Sequence, residues 1–146
     1  MSLLNTAHTD EITALPALDD PQHPLNQISE KIRDSIFDIH RTFGPGLLES
    51  AYEDYLEYDL IENQKLKVER QKILPLQFKG LHVKNAYKVD LLVEDQIIVE
   101  LKACEKILPI HRAQLLTYMK IHQSRLGYLV NFNTKLIKDG ISRFVL

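Results

Sequence analysis

Tyr87-Lys88-Val89-Asp90-Leu91-Leu92-Val93-Glu94, then Asp95-Gln96, then Ile97-Ile98-Val99-Glu100-Leu101-Lys102-Ala103 is the stretch on which the fold turns. Both outer runs are dense in Val, Ile and Leu, which suit a pleated and buried surface, and a short polar break separates them. The pattern predicts two successive strands. Side chains alternate between faces along a strand, so Glu100 and Lys102 point the same way. Asp90 is a matter of parity. A two-residue turn at Asp95-Gln96 would set Asp90 opposite Leu101 and send its carboxylate to the other face. A site shared by Asp90, Glu100 and Lys102 therefore requires an odd-length loop or a bulge between the strands.

Working outward, Leu25, Ile28, Ile32, Ile36, Ile39 and Phe43 recur at intervals of three and four. That is the stripe of an amphipathic helix, ended by Gly44-Pro45-Gly46. A second helix is expected from Leu47 to about Asn63. A strand follows from Val68 to Phe78, interrupted by Pro75, then a Lys79-Gly80 turn and a short strand around Leu81-Val83. After the central pair, Pro109 opens a helix to about Gln123, Gly127 to Phe132 reads as a buried strand, and Gly140 precedes a last strand from Ile141 to Leu146. The fold class is therefore α/β, an α+β arrangement on a mixed sheet. Residues 1-24 carry Pro16, Pro21 and Pro24 with the acidic pairs Asp10-Glu11 and Asp19-Asp20, and are expected to form an acidic tail with little order. Residues 25-146 are expected to form one domain.

Composition excludes several classes. The chain has 146 residues, enough for one hydrophobic core, and 45% apolar and 26% charged residues are ordinary globular values. The lone Cys104 rules out an internal disulfide and fits a reducing cytoplasm. No basic segment leads into an apolar run and no stretch approaches ~20 apolar residues, so a cytoplasmic protein with no membrane partner is expected. The net charge of -2 conceals an asymmetry. Residues 1-64 hold 3 Lys/Arg against 13 Asp/Glu, whereas residues 65-125 hold 12 against 6. The basic excess surrounds Asp90 and Glu100. Lys88, Lys106 and Arg112 are the candidates for phosphate contact, although each also fits a solvated surface.

On spacing alone, Glu100 and Lys102 equally describe a same-face surface ion pair, and Glu49 a carboxylate near a helix N-terminus. Gln114 and Tyr118 lie four apart on one helix face, again an ordinary pattern. Taken in order, these blocks carry a resemblance. Gly46-Leu47-Leu48-Glu49-Ser50-Ala51-Tyr52 is similar to the signature of the GxxExxY proteins, a branch of the PD-(D/E)xK nuclease superfamily. Asp90-Leu91-Leu92-Val93, Glu100-Leu101-Lys102-Ala103, Gln114-Leu115-Leu116 with Tyr118, and Lys138-Asp139-Gly140-Ile141 with Arg143 resemble that family's further blocks over roughly residues 28-146. The proline that often precedes the aspartate is replaced by Val89.

The resemblance implies a restriction-endonuclease-like core of order α-β-β-β-α-β, with an extra N-terminal helix and a C-terminal strand. It also implies a metal-dependent nuclease acting on nucleic acid, most often DNA, with Asp90, Glu100, Lys102, Glu49, Gln114 and Tyr118 at the active site. Three carboxylates in one cleft repel one another unless a cation binds, and oxygen-only ligands select a hard ion such as Mg2+ or Mn2+. The ligands implied are Asp90, Glu100 and the backbone carbonyl of Leu101, with Glu49 direct or through water. A second reading is a catalytically silent module that keeps the fold to bind nucleic acid or protein. With so short a chain, specificity would draw on loops, the tail, a homodimer or a partner protein.

Overall fold

A computed structural model describes residues 17–146, with Asn85 and Ala86 described by backbone alone. Residues 1–16, most of the expected acidic tail, lie outside the described residues. Residues 17–23, assigned to that tail from sequence, make turns that bury Leu18 and His23. The Asn26 amide donates to the carbonyls of Leu18 and Asp20, tying this segment to the helix behind it.

Helix α1 runs Pro24–Phe43 and α2 Glu49–Glu62. Proline starts α1 where its missing N–H costs nothing, and Gly44 ends it at φ 68°, a backbone conformation that glycine adopts freely. Strands β1 (Val68–Phe78), β2 (Leu81–Val93) and β3 (Ile97–Lys102) form an antiparallel meander. Helix α3 (Pro109–His122) crosses over to β4 (Leu126–Asn131), which pairs parallel to β3, and β5 (Ile141–Val145) closes the far edge antiparallel to β4. The sheet order is β1-β2-β3-β4-β5. The element sequence agrees with the expected core, its preceding helix and its closing strand.

Two details differ from expectation. The strand around Leu81-Val83 is not separate but the beginning of β2, because the strand bends across Pro75 instead of stopping. Proline offers no N–H to the ladder, and between the pairs Leu76↔Val83 and Leu74↔Tyr87 the single Pro75 faces three residues, 84–86, on β2. A short 3-10 turn, Ile137–Gly140, also precedes β5.

The core has two sides. Leu91, Val93, Ile97, Val99, Leu101 and Val130 pack against α1 and α2, while Leu92, Ile98 and Leu129 pack with Leu115 and Met119 of α3. The period-two alternation of the strands thus appears directly in the packing. Gly127 sets the spacing of α3, since a Cβ there would lie 2.7 Å from the Met119 sulfur.

Tyr52 joins α2 to both the core and the preceding turn. Its ring stacks on Phe132 with centroids 4.2 Å apart. Its hydroxyl donates to the Gly44 carbonyl and accepts from the Leu47 N–H at 3.1 Å. The tyrosine of the Gly46-to-Tyr52 block therefore fastens the turn that positions the start of α2. Tyr52→Phe keeps the stack but strands both backbone groups, and should lower the free energy of unfolding by roughly 1–2 kcal/mol in a urea titration. An unchanged midpoint would refute this role.

Candidate functional site

The loop between β2 and β3 has odd length. Val93 pairs with Ile97, leaving Glu94, Asp95 and Gln96 between them, with Glu94 and Asp95 at φ 52° and 56°. Continuing that register would set Asp90 across from Glu100, but Val89 packs with Leu92 under α3 while Leu91 packs on the other layer, so the alternation breaks at Asp90 and crossed hydrogen bonds bring the two acids together.

Regular pairing of the two strands ends at Leu91↔Val99. Beyond it the carboxylates replace the ladder. The Asp90 N–H donates to Glu100 Oε1 at 2.9 Å, and the Leu101 N–H donates to Asp90 Oδ2 at 2.9 Å. Each acid thus holds the other's strand where the backbones part. Glu100 is only 8% exposed. Burial, then the Asp90 charge, pushes its carboxyl up to about 8. Burial also raises Asp90, with the Glu49 charge adding to the rise; the Leu101 N–H, the Gln71 amide and the Lys102 ammonium pull it back. Two acids held so unfavourably for negative charge form a strong demand for a cation, and every donor they present is oxygen.

The remaining predicted residues divide by distance from this pair. Lys102, the last residue of β3, is half-buried, and its charge acts on both acids. Its carbonyl accepts from the Phe132 N–H at 2.9 Å. Asn131 secures the chain just after it, donating to the Cys104 carbonyl at 2.9 Å and accepting from the Cys104 N–H at 3.2 Å. Tyr118 reaches the site from α3, where burial and then the charges of Glu100 and Asp90 raise its phenol; its ring packs on Tyr87 at 5.9 Å. Glu49 begins α2 exposed, close enough for its charge to raise Asp90. Among the described residues no three His, Cys, Asp or Glu side chains gather closely enough to hold a metal ion. The Glu49 charge bears on Asp90 and the Glu53 charge on Glu100. Gln114 and Arg112 are exposed on α3, the Arg112 guanidinium lying 5.8 Å over the Phe144 ring, and Lys88 and Lys106 are exposed as well.

Sequence reasoning missed three residues. Glu53, one helical turn after Glu49, is 6% exposed and accepts from Arg70 Nε at 3.1 Å and from the Gln71 amide at 2.7 Å. The same Gln71 amide donates to Asp90 Oδ1 at 3.2 Å, linking α2 to the site through β1. Gln71 sits at φ 51°, uncommon for a side-chain-bearing residue. Arg70 spans Glu53, Asp54 and Glu57 along α2. The i, i+4 spacing of Glu49 and Glu53 was a visible signal. The role of Gln71 was not, because it depends on the offset introduced at Pro75.

A pair of carboxylates and a lysine at the parting of two strands, on this order of elements, can be compared with known families. The family model of the PD-(D/E)XK nuclease superfamily matches residues 26–144. The chain belongs to that superfamily. Its helices and mixed sheet are the superfamily's restriction-endonuclease-like fold, and membership points to nuclease chemistry. No curated protein matches the chain. Among solved structures, the crystal structure of SSO0001 aligns at 20% identity with a TM-score of 0.41, covering 81% of this chain and 59% of that one. No helix among the described residues is long and apolar enough to cross a membrane.

The titration of Glu100 has a sign. Its folded value of about 8 lies above the ordinary 4.5, so the folded chain retains a proton that the unfolded chain gives up between those values. This contribution to stability is fully present below the lower value and is lost as pH rises through the higher one. In EDTA, the melting temperature should fall between about pH 5 and about pH 9. Glu100→Gln, which still accepts from the Asp90 N–H, should flatten that fall; an equally steep profile in the variant would show that another group carries it.

Proposed function

We propose that this protein is a Mg2+-dependent nuclease that hydrolyses phosphodiester bonds in DNA, and that it falls in the GxxExxY branch of the superfamily. The observation that carries the reading is the Asp90–Glu100 pair, crossed through backbone N–H groups with Lys102 beside it on the same strand. The Gly46-to-Tyr52 block supports the branch, with Tyr52 in the structural role described above.

Asp90, Glu100 and the Leu101 carbonyl would hold the ion, with Glu49, whose charge already bears on Asp90, joining directly or through water. When bound, Mg2+ or Mn2+ would supply Lewis-acid polarisation of the scissile phosphate. The chain's own groups do the rest. The Lys102 ammonium, a compact cation with three donors, orients the attacking water and stabilises negative charge as it develops on phosphate oxygens. Glu53 and Gln71 hold Asp90 in orientation from the helix side. Tyr118 shields the acids from solvent on the α3 face and can hydrogen-bond a phosphate oxygen, and Gln114, one turn earlier, is placed for water or phosphate. Lys88, Lys106 and Arg112 are surface cations for the backbone of the nucleic acid. Among the described residues no third acid closes on the pair, and a binding module without turnover is the competing reading.

Incubation with single- and double-stranded DNA and RNA, in Mg2+, Mn2+ or EDTA, separates the two. Metal-dependent cleavage should be lost by a factor of at least ~100 in Asp90→Asn and in Lys102→Ala. Equal product from wild type and both variants would favour the module. Calorimetric titration with Mn2+ should show heat for the wild type that Asp90→Asn lacks, and no heat for the wild type at millimolar metal would count against the site itself.

A further inference from the structure

The β1–β2 hairpin runs well past the rest of the sheet. Strand β3 meets β2 only at Leu91, Leu92 and Val93, and Leu74 and Val89 are the last hairpin residues buried under α3. Every residue described by side chain from Pro75 to Lys88 is exposed or half-buried. This free ribbon is roughly 13 Å long along β1 at ~3.3 Å per residue, and an uncovered two-stranded ribbon is at best marginally stable alone.

Its composition is one-sided. Residues 71–89 contain four lysines and no Asp or Glu, in a chain whose net charge is -2. At the tip, the Lys79-Gly80 turn is flanked by Phe78 and Leu81, which are 70% and 68% exposed. Ile73 and Val83 are also exposed and line a cleft of about 330 Å³ with Pro75 and Lys84. The Lys79 ammonium lies 5.3 Å from the Phe78 ring centroid, so charge and apolar surface are presented together. Strand β2 leads from this tip, through the irregularity opposite Pro75, to Asp90 at its base.

We propose that the hairpin is a duplex-DNA-gripping arm: a two-stranded ribbon that lies in a groove, with Lys79 and Lys84 against phosphates and Phe78 and Leu81 against the bases at its tip. The inference rests on the nuclease reading and specifies its substrate. The B-form major groove, about 12 Å wide, admits a two-stranded ribbon, whereas the A-form major groove is too deep and narrow. Exposed apolar side chains at a ribbon tip suit contact with thymine methyl groups in that groove, and cations without acids suit a polyanion. An acidic protein surface, such as α2 of a second copy, has the same sign of charge. It would cover the route along β2 to Asp90, so DNA is the occupant that leaves the site in use.

The test is fluorescence anisotropy in EDTA, where no cleavage interferes, using labelled duplex DNA, duplex RNA of the same sequence and the single strand. Wild type should bind duplex DNA about tenfold more tightly than either alternative. Lys79→Gln with Lys84→Gln should weaken binding and reduce the salt slope by about 2, one per lost phosphate contact. Phe78→Ser with Leu81→Ser should weaken binding by at least ~10-fold with the slope unchanged. Equal affinity of both double variants and wild type would overturn the arm, as would equal binding of RNA and DNA duplexes or no binding of duplex DNA. So would a wild-type dimer in sedimentation that Phe78→Ser with Leu81→Ser converts to monomer without affecting DNA binding. A failure of the nuclease reading shows instead as absent cleavage in Mg2+ while this equilibrium persists.

Discussion

Two carboxylates, each accepting a hydrogen bond from the backbone of the strand opposite, hold the centre of this molecule together. Strands β2 and β3 begin as an ordinary antiparallel pair and then part, and where they part Asp90 and Glu100 take over the N–H groups that a ladder would have satisfied. Buried backbone donors must find partners, so the acids answer a structural demand as well as a chemical one. The same placement puts them in an environment that resists negative charge, Glu100 most of all. A fold that needs these acids as acceptors holds them where charge is unfavourable, and the nearby Lys102 ammonium offsets part of that cost.

Several supports converge on that point from different elements. From β1, the Gln71 amide bridges Asp90 to Glu53 of α2, and Arg70 fastens the acidic face of the same helix. From α3, Tyr118 closes the other side, at a depth permitted by the absence of a side chain at Gly127. Behind β3, the Asn131 side chain ties β4 to the chain at Cys104, two residues past the end of β3.

The block around Glu49 divides in a way that its spacing does not suggest. Tyr52 faces inward and serves the turn and the core, whereas Glu49 lies at the exposed start of α2. The buried carboxylate of that helix face is Glu53, one turn further along. Helical periodicity places residues four apart on one side of the cylinder. Which of the two lies against the sheet depends on where the helix begins and how it tilts, and that is set by the Tyr52-fastened turn.

By itself the sequence determined the order of elements, the two central strands and the pairing of Glu100 with Lys102 on one face, because these follow from local periodicity and from residues adjacent along the chain. It also set the condition for Asp90 to join them, an odd-length loop or a bulge, without saying which of the two is present. Tertiary structure decided that Glu94 to Gln96 form that loop, that Pro75 offsets β1 so that Gln71 meets Asp90, and that Leu81 to Val93 form one strand whose first half stands free. It also decided that Glu53 rather than Glu49 is buried beside Gln71. Each of these depends on register or on helix placement, and both are set by contacts between residues far apart in the chain, where one residue of slip changes the face or the partner of every side chain that follows.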